Sequence, residues 1–516
     1  MRTITLDGRS LGPDDVAAIL EGSDFDVVLD ADALARIEAA RATVEKGIED
    51  GRTIYGVNTG FGKLADQSIP PDQVRTLQRN LLLSHACGVG PALPDEIVAL
   101  AMLFRANSLA VGCSGCRPIV VETLVKMLKL GVRPVVPRKG SVGACGDLAP
   151  LAHLALPMIG EGKACLRGEE MEGARAMARA GVTPITLEAK EGLALINGVQ
   201  ISSAIGARVL YMAGRLLRTA DLAAAMSLEA LLGTDVPFDP RIHAARPHPG
   251  QGKTAENVRT LLADSEILVS HREHRHKVQD AYSLRCVPQV HGASRDSLEH
   301  AATVVYREVN SATDNPLVFA EEGDVLSGGN FHGEPVAMVM DHSTLALHEL
   351  GSISERRIES IVNPSLSSGL PPFLAIEGGL HSGFMMAQVT AAALVCETRT
   401  LCHPASAESI PTSANQEDHV SMSTVASRKA LHVADDVGSI LAIEILAASR
   451  GLDLRKPLAP GKGVKAAYDF VRGRVPAREE DRMLAPEIEK VRGIVLGEGL
   501  LEAVEKVVGP LIGIGS

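Results

Sequence analysis

The segment Gly140-Ser-Val-Gly-Ala-Cys-Gly-Asp-Leu-Ala-Pro150 holds the most reactive possibility in the chain. Glycine has no Cβ, so Gly146 presents a sterically open amide nitrogen and permits sharp backbone geometry. Attack of that nitrogen on the Ala144 carbonyl closes a five-membered ring, which makes the backbone itself a source of an electrophile. The apolar run from Leu148 to Ile159 predicts a helix directly after this loop.

Other polar groups cluster in short stretches. Tyr55 lies in Thr53-Ile-Tyr-Gly-Val-Asn-Thr-Gly-Phe-Gly62, where Gly56, Gly60 and Gly62 suit either a mobile ligand-covering loop or a plain surface turn. Asn197 ends Glu191-Gly-Leu-Ala-Leu-Ile-Asn-Gly198, and Gln279-Asp-Ala-Tyr-Ser-Leu-Arg285 groups Gln279, Tyr282 and Arg285. Asn315 in Thr313-Asp-Asn-Pro-Leu317 and Phe331 in Gly328-Gly-Asn-Phe-His-Gly333 sit in turn-rich segments. Pro411-Thr-Ser-Ala-Asn-Gln-Glu-Asp-His419 combines acids, amides and an imidazole around Gln416 and Glu417. Taken singly, each has an ordinary alternative as an Asx turn, a helix cap or a solvated face.

Weaker motifs fall away. Gly250-Gln-Gly-Lys-Thr254 ends like a phosphate-binding loop, but Pro247 stands where that motif needs glycine. Cys113-Ser-Gly-Cys116 lacks the second half that zinc sites require. Arg272, Arg275 and Lys277 are interleaved with His271, His274 and His276 and oppose a cation there, so no metal is expected.

The elements that must position these groups are mainly helices. Helices are expected over Asp32 to Glu49, from Pro94-Asp95 to Gly112 and from Pro118 to Gly131, the latter two with proline at the start and glycine at the end. Val132 to Val136 reads as a short strand, and Arg246 to Lys253 as a surface excursion. Long helical runs follow at Ser203 to Leu232, Asp296 to Glu308 and Glu334 to Val362. The fold class is therefore mostly α. The expected division is an N-terminal domain, 1–203, carrying the Tyr55 and Ala-Cys-Gly loops, and a helical-bundle domain, 204–516, with substrate-binding and oligomerisation segments.

Bulk properties narrow the partners. With 516 residues, 46% apolar content and a net charge of −12, the chain builds a large core but lacks the basic surface that nucleic acid or anionic membranes require. Absent Trp and 3% aromatics also remove stacking platforms for single strands. The start shows no secretory pattern, and no apolar run reaches membrane-spanning length; Val437 to Ala448 is short and contains Glu444. Eight scattered cysteines then read as reduced thiols of a cytoplasmic protein.

Together with Gly143-Ala-Cys-Gly-Asp-Leu-Ala-Pro150, the polar stretches resemble the aromatic amino acid ammonia-lyase family, in the family's order and over nearly the whole chain. The resemblance implies an aspartase/fumarase-like fold with a globular N-terminal domain and a long central helical bundle. It also implies a homotetramer whose sites are shared among chains. The implied cofactor is 4-methylideneimidazole-5-one (MIO), built by cyclisation and two eliminations from the family's Ala-Ser-Gly, here Ala144-Cys145-Gly146. Such an electron sink answers a chemical need, because the β-proton of an amino acid is scarcely acidic. The chain departs from the family pattern at Cys145, where serine is usual. Ring closure uses backbone atoms only, so the same methylidene is expected, with hydrogen sulfide leaving in place of one water.

Residue roles follow from the resemblance. Tyr55 matches the catalytic tyrosine, a base for the β-proton whose phenol must fall below its ordinary pKa to act near neutrality. Arg285 matches the partner of the substrate carboxylate, Tyr282 a neighbour of substrate and cofactor, and Asn197 the donor to the ring oxygen. Gln279, Asn315 and Phe331 match pocket positions, and Glu417, with Gln416 beside it, an acid near the amine or imidazole. Met385 is a candidate pocket wall or a core residue. Ser84-His85 resembles the histidine-specific branch, implying L-histidine as substrate and trans-urocanate and ammonia as products. A phenylalanine or tyrosine lyase, an aminomutase, and an inactive homologue in which Cys145 never matures are the alternatives.

Overall fold

The computed structural model describes residues 1–273 and 277–515. Among them are twenty α-helices and only four small sheets, as the helical periodicity predicts. The chain divides into two compact units, and the division is discontinuous. Met1–Tyr211, Thr303–Asp341 and Pro404–Arg428 form the first; Met212–Ala302, His342–His403 and Lys429–Ser516 form the second. A boundary at 203/204 does not capture the return of two later segments to the first unit. The long helices explain this, since Val287–Glu308, Glu334–Val362 and Ser423–Asp453 each run from one unit's residues into the other's.

The core of the first unit is helix Asp95–Ala110, in which every residue from Ile97 to Ala110 is buried. A helix apolar on all sides has no solvent face and must be surrounded. Asn107 is satisfied inside, its Nδ2 donating to the Val309 carbonyl at 2.9 Å and its Oδ1 accepting from the Gly8 amide at 3.0 Å, whereas buried Arg105 keeps Nε without a partner. Helix Pro118–Lys129 has proline in its first turn and buries Val120, Val121, Leu124, Met127 and Leu128 along one stripe. The expected strand is observed as Val132–Pro134, the edge of an antiparallel sheet with Lys163–Leu166 and Glu169–Glu172. The run after the glycine-rich loop forms α-helix Leu148–Ala155 and then a 3-10 turn, Leu156–Ile159, because Pro157 cannot continue the α-helical ladder.

In the second unit, a buried carboxylate ties three long helices together. Glu444 accepts from Ser227 Oγ at 2.6 Å, Ser354 Oγ at 2.6 Å, and Arg357 Nε and Nη2 at 2.5 and 2.9 Å. Both members of the Arg357–Glu444 pair are fully buried, so each compensates a charge that would otherwise be costly to desolvate. Of the expected surface excursion Arg246 to Lys253, Arg246 to Pro249 are exposed as predicted, but helix Pro249–Leu261 begins inside it with Gly250 and Gln251 buried. Pro249 fits the first helical turn, and the missing Cβ of Gly250 lets the backbone pack on the Gly292 carbonyl.

Candidate active site

The glycine-rich loop is held by contacts from distant parts of the first unit. Gly143 and Gly146 adopt φ of +71° and +75°, a region that disfavours side chains. A Cβ on Gly143 would strike Ser421 Oγ, and one on Gly146 would strike the Gly198 carbonyl. Ser421 Oγ donates to the Gly143 carbonyl at 3.0 Å, and the Met422 amide donates to the Val142 carbonyl at 2.8 Å. On the other side Gly146 bridges Gly198, and the Asp147 amide donates to the Gly198 carbonyl at 2.7 Å. The loop is thus clamped between Asn197-Gly198 and Ser421-Met422.

Asp147 precedes helix Leu148–Ala155 but does not cap it. Its buried carboxylate instead accepts from the Ser202 amide at 2.7 Å and Ser202 Oγ at 2.8 Å. Burial pushes this carboxyl up to about 6, with the Ser202 bonds opposing. The folded state therefore holds the proton longer than the unfolded chain, and this group's contribution to stability falls as pH rises from about 4 through about 6. Asp147→Asn loses one accepted bond and should cost about 1–3 kcal/mol. It should also remove that downward slope. Urea midpoints measured across this pH range test both, and an unchanged midpoint and slope would contradict the anchoring role.

Around Cys145 the groups converge. The Cys145 thiol donates to Glu417 Oε1 at 3.0 Å, and Asn197 Nδ2 donates to the Cys145 carbonyl oxygen at 3.2 Å. Burial first, and then Glu417, push the thiol well above its ordinary pKa, so it is held protonated. Asn197 is itself fixed by Arg105, whose Nη1 donates to the Asn197 carbonyl at 2.6 Å, while Asn197 Oδ1 is buried without a partner. Glu417 Oε2 accepts from Thr412 Oγ1 at 2.6 Å, and Thr412 and Glu417 pair as an antiparallel bridge. The turn between them contains Ser413, Ala414 and Asn415 at φ of +50°, +53° and +67°. Three consecutive left-handed non-glycine residues cost roughly 1–3 kcal/mol each. The strain lies in the turn that delivers Glu417.

Tyr55 comes from the other glycine loop. Its hydroxyl accepts from the Gly62 amide at 3.1 Å, and its ring meets Phe61 edge-on with centroids 6.4 Å apart. Here the structure corrects an expectation: burial, with added repulsion from Cys145 and Glu417, raises the Tyr55 pKa, and the Gly62 bond only partly opposes this. His85 ends helix Val74–His85, with Nδ1 3.1 Å from Ser84 Oγ. Burial lowers its pKa, which favours the neutral imidazole.

Two cavities meet at these residues. One of about 660 Å³ is lined by Tyr55, Ser84, His85, Cys145, Asn197 and Glu417. Another of about 420 Å³ shares Tyr55, Cys145, Asn197 and Glu417 and adds Ala144, Asn315, Phe331 and Gln416. Asn315 is fixed there by the Gly328 amide and Ser327 Oγ, which donate to its Oδ1 at 2.7 and 3.1 Å. Most of the expected site residues are therefore together in the first unit.

Gln279, Tyr282, Arg285 and Met385 line neither cavity and belong to the second unit. Tyr282 is 69% exposed, and the Arg285 guanidinium lies over its ring at 4.4 Å. Gln279 is exposed, and Met385 opens helix Met385–Leu401. His271 is buried, with its ring nitrogens 2.8 and 3.0 Å from the Ile267 and Gly233 carbonyls; His274 and His276 lie outside the described residues. Cys113 and Cys116 are free thiols, and burial pushes Cys116 up to about 12. Sequence reasoning passed over Asp147, Thr412 and Ser421. Each acts through a partner, and only the hydroxyls flanking Glu417 hinted at one.

Comparison with known proteins agrees with this geometry. Residues 11–473 match the family described as aromatic amino acid lyase. The histidine ammonia-lyase of Natranaerobius thermophilus is 50% identical over 508 residues, which is 98% of this chain and 100% of that relative. The crystal structure of histidine ammonia-lyase from Trypanosoma cruzi superposes with a TM-score of 0.91 at 45% identity, covering 98% of this chain and 95% of that one. The tyrosine aminomutase of Streptomyces globisporus gives a TM-score of 0.93 at 38% identity, covering 99% and 100%. The fold is mostly α and aspartase/fumarase-like. With half its residues shared across the full length of a relative and the family's pattern matched over most of its length, the chain belongs to the aromatic amino acid lyase family.

Proposed function

We propose that this protein deaminates L-histidine without oxidation, releasing trans-urocanate and ammonia, as the first step of histidine breakdown in the cytoplasm. The observation that carries the reading is the convergence of Tyr55, His85, Asn197 and Glu417 on Cys145 at the cavity wall. The residues fit a 4-methylideneimidazole-5-one matured from Ala144-Cys145-Gly146. Gly146 admits no side chain beside Gly198, and the Cys145 carbonyl oxygen, which the ring retains, already accepts from Asn197 Nδ2. When formed, the group supplies an electrophilic methylidene that serves as an electron sink.

This chain's own groups account for the remaining tasks. Asn197 favours charge accumulating at the Cys145 carbonyl oxygen, as an oxyanion donor does. Tyr55 is the base for the β-proton, and Glu417 faces the amine or the imidazole. Neutral His85 with Ser84 binds the substrate ring by hydrogen bonds, while Asn315, Phe331 and Gln416 shape the second cavity. Among the described residues neither of these two cavities has an arginine in its wall, so we assign the carboxylate contact to Arg285 of another copy in a homotetramer. Gln279, Tyr282 and Met385 are assigned to the same inter-subunit role.

The test is release of the urocanate ultraviolet chromophore from L-histidine. Faster turnover of L-phenylalanine or L-tyrosine would sink the substrate assignment. The likeness to an aminomutase supports one other reading, in which a β-amino acid accumulates instead. His85→Leu removes a hydrogen-bonding group from the pocket and should lower kcat/KM for L-histidine by about tenfold to a hundredfold, the equivalent of one or two lost bonds. An unchanged kcat/KM would place the ring elsewhere.

A further inference from the structure

His332, Glu334 and His419 take no part in the chemistry above, yet each offers a ligand atom within 4.8 Å of the other two. His332 and His419 line the 420 Å³ cavity, their rings nearly parallel at 7° with centroids 5.8 Å apart, and His332 Nε2 lies 3.3 Å from the His419 carbonyl oxygen, a contact that a cation taking Nε2 would displace. Glu334 opens helix Glu334–Val362, and its Oε2 is buried without a hydrogen-bond partner. A buried carboxylate oxygen left bare is costly and calls for a cation or a donor. Within the protomer the surroundings are acidic: Glu417 and Asp418 line the same cavity, and no lysine or arginine among the described residues of the same chain does. The backbone is fixed from both sides, since Gly333 packs against Ser421 and Ser423, two and four residues beyond His419.

A second histidine–carboxylate group, Glu397, His432 and Asp436, differs in its exposure and lies away from both cavities. There His432 Nε2 already pairs with Glu397 at 3.4 Å and Asp436 at 3.5 Å, on a largely exposed face. Asp436 Oδ2 is buried without a hydrogen-bond partner there too, but His432 and Glu397 are more than half exposed and none of the three lines either cavity, and ion pairs between exposed side chains contribute little.

We propose that His332, Glu334 and His419 form a binding site for a borderline divalent cation such as Zn²⁺ or Co²⁺. Two imidazoles and one carboxylate are the ligand set such ions take, at about 2.0–2.2 Å from each donor. Tetrahedral bonds of that length bring the donors to about 3.4 Å from one another. Small rotations of the partly exposed His332 and exposed His419 side chains close the difference from 4.8 Å. Three protein ligands leave a position for water, an amine or an imidazole.

Titration of chelator-treated, full-length protein with Co²⁺, followed by visible absorbance, tests the site. The expected result is one Co²⁺ per chain with weak d–d bands and no intense thiolate charge-transfer band. Affinity should fall by about a hundredfold or more in His332→Gln and in His419→Gln, and stay unchanged in His432→Ala. A wild-type measurement guards against misfolded variants: Co²⁺ should protect His332 and His419, and not His432, from histidine-selective acylation mapped by peptide mass. No binding at millimolar Co²⁺, a thiolate band, loss of binding in His432→Ala, or unprotected His332 and His419 would each overturn the proposal.

Discussion

A Cys145→Ala protein should keep the loop peptide from Lys139 to His153 at its unmodified or singly dehydrated mass and lose ammonia release by about 10⁴-fold or more. The wild-type peptide should be lighter by one water and one hydrogen sulfide. The water comes from closing the Gly146 nitrogen onto the Ala144 carbonyl, which involves backbone atoms alone. The hydrogen sulfide requires breaking the Cys145 Cβ–Sγ bond and losing the Cα proton, and alanine has no such bond to break. The thiol starts protonated, donating to Glu417, because burial and that carboxylate both disfavour thiolate. Its own proton can therefore leave with the sulfur, and the Cα proton completes the neutral molecule. Cys145→Ser should lose two waters and stay active. An unmodified wild-type peptide would remove the cofactor from the reading, and full activity in Cys145→Ala would remove Cys145 from it.

The local chemistry of this site was visible in the sequence more than its assembly. The cyclisable Ala144-Cys145-Gly146 and the run of polar groups around Glu417 can be read from residue types alone. That Asn197 addresses the Cys145 carbonyl, and that Tyr55 shares a cavity wall with Glu417, depends on contacts between segments far apart in the chain. Only the resemblance, drawn from several stretches at once, carried that information. Asp147 looks like a helix cap by position but bonds to Ser202, and no local pattern announces a partner that far along the chain. The direction of the Tyr55 shift depends on the same long-range assembly. Catalytic need suggests a lowered phenol, whereas burial beside Cys145 and Glu417 raises it. Pro249 and Gly250 show the converse case, in which loop-forming residues serve as a helix start because of what packs against them.

Tyr55→Phe should lower kcat by about 10²–10⁴-fold while leaving the mass loss of the loop peptide intact. The second readout matters, because it separates a base in the reaction from a residue needed to build the site. Burial, with Cys145 and Glu417, raises the Tyr55 pKa above that of an ordinary phenol, so in the protomer Tyr55 is held protonated at neutral pH. A base must be deprotonated to act, so kcat/KM should climb with pH, by up to tenfold per unit below that pKa, and the climb should vanish in Tyr55→Phe. An incoming cation moves the curve: Arg285 of another copy, placed near the phenol, would stabilise phenolate and shift the climb to lower pH. Arg285→Gln should then move the wild-type profile back toward alkaline pH as well as raise KM, whereas Arg285→Lys should restore part of the shift. If Tyr55→Phe and wild type share one pH profile and differ only a few-fold in kcat, the β-proton goes to another base. Glu417, already directed at Cys145, would be the first to test.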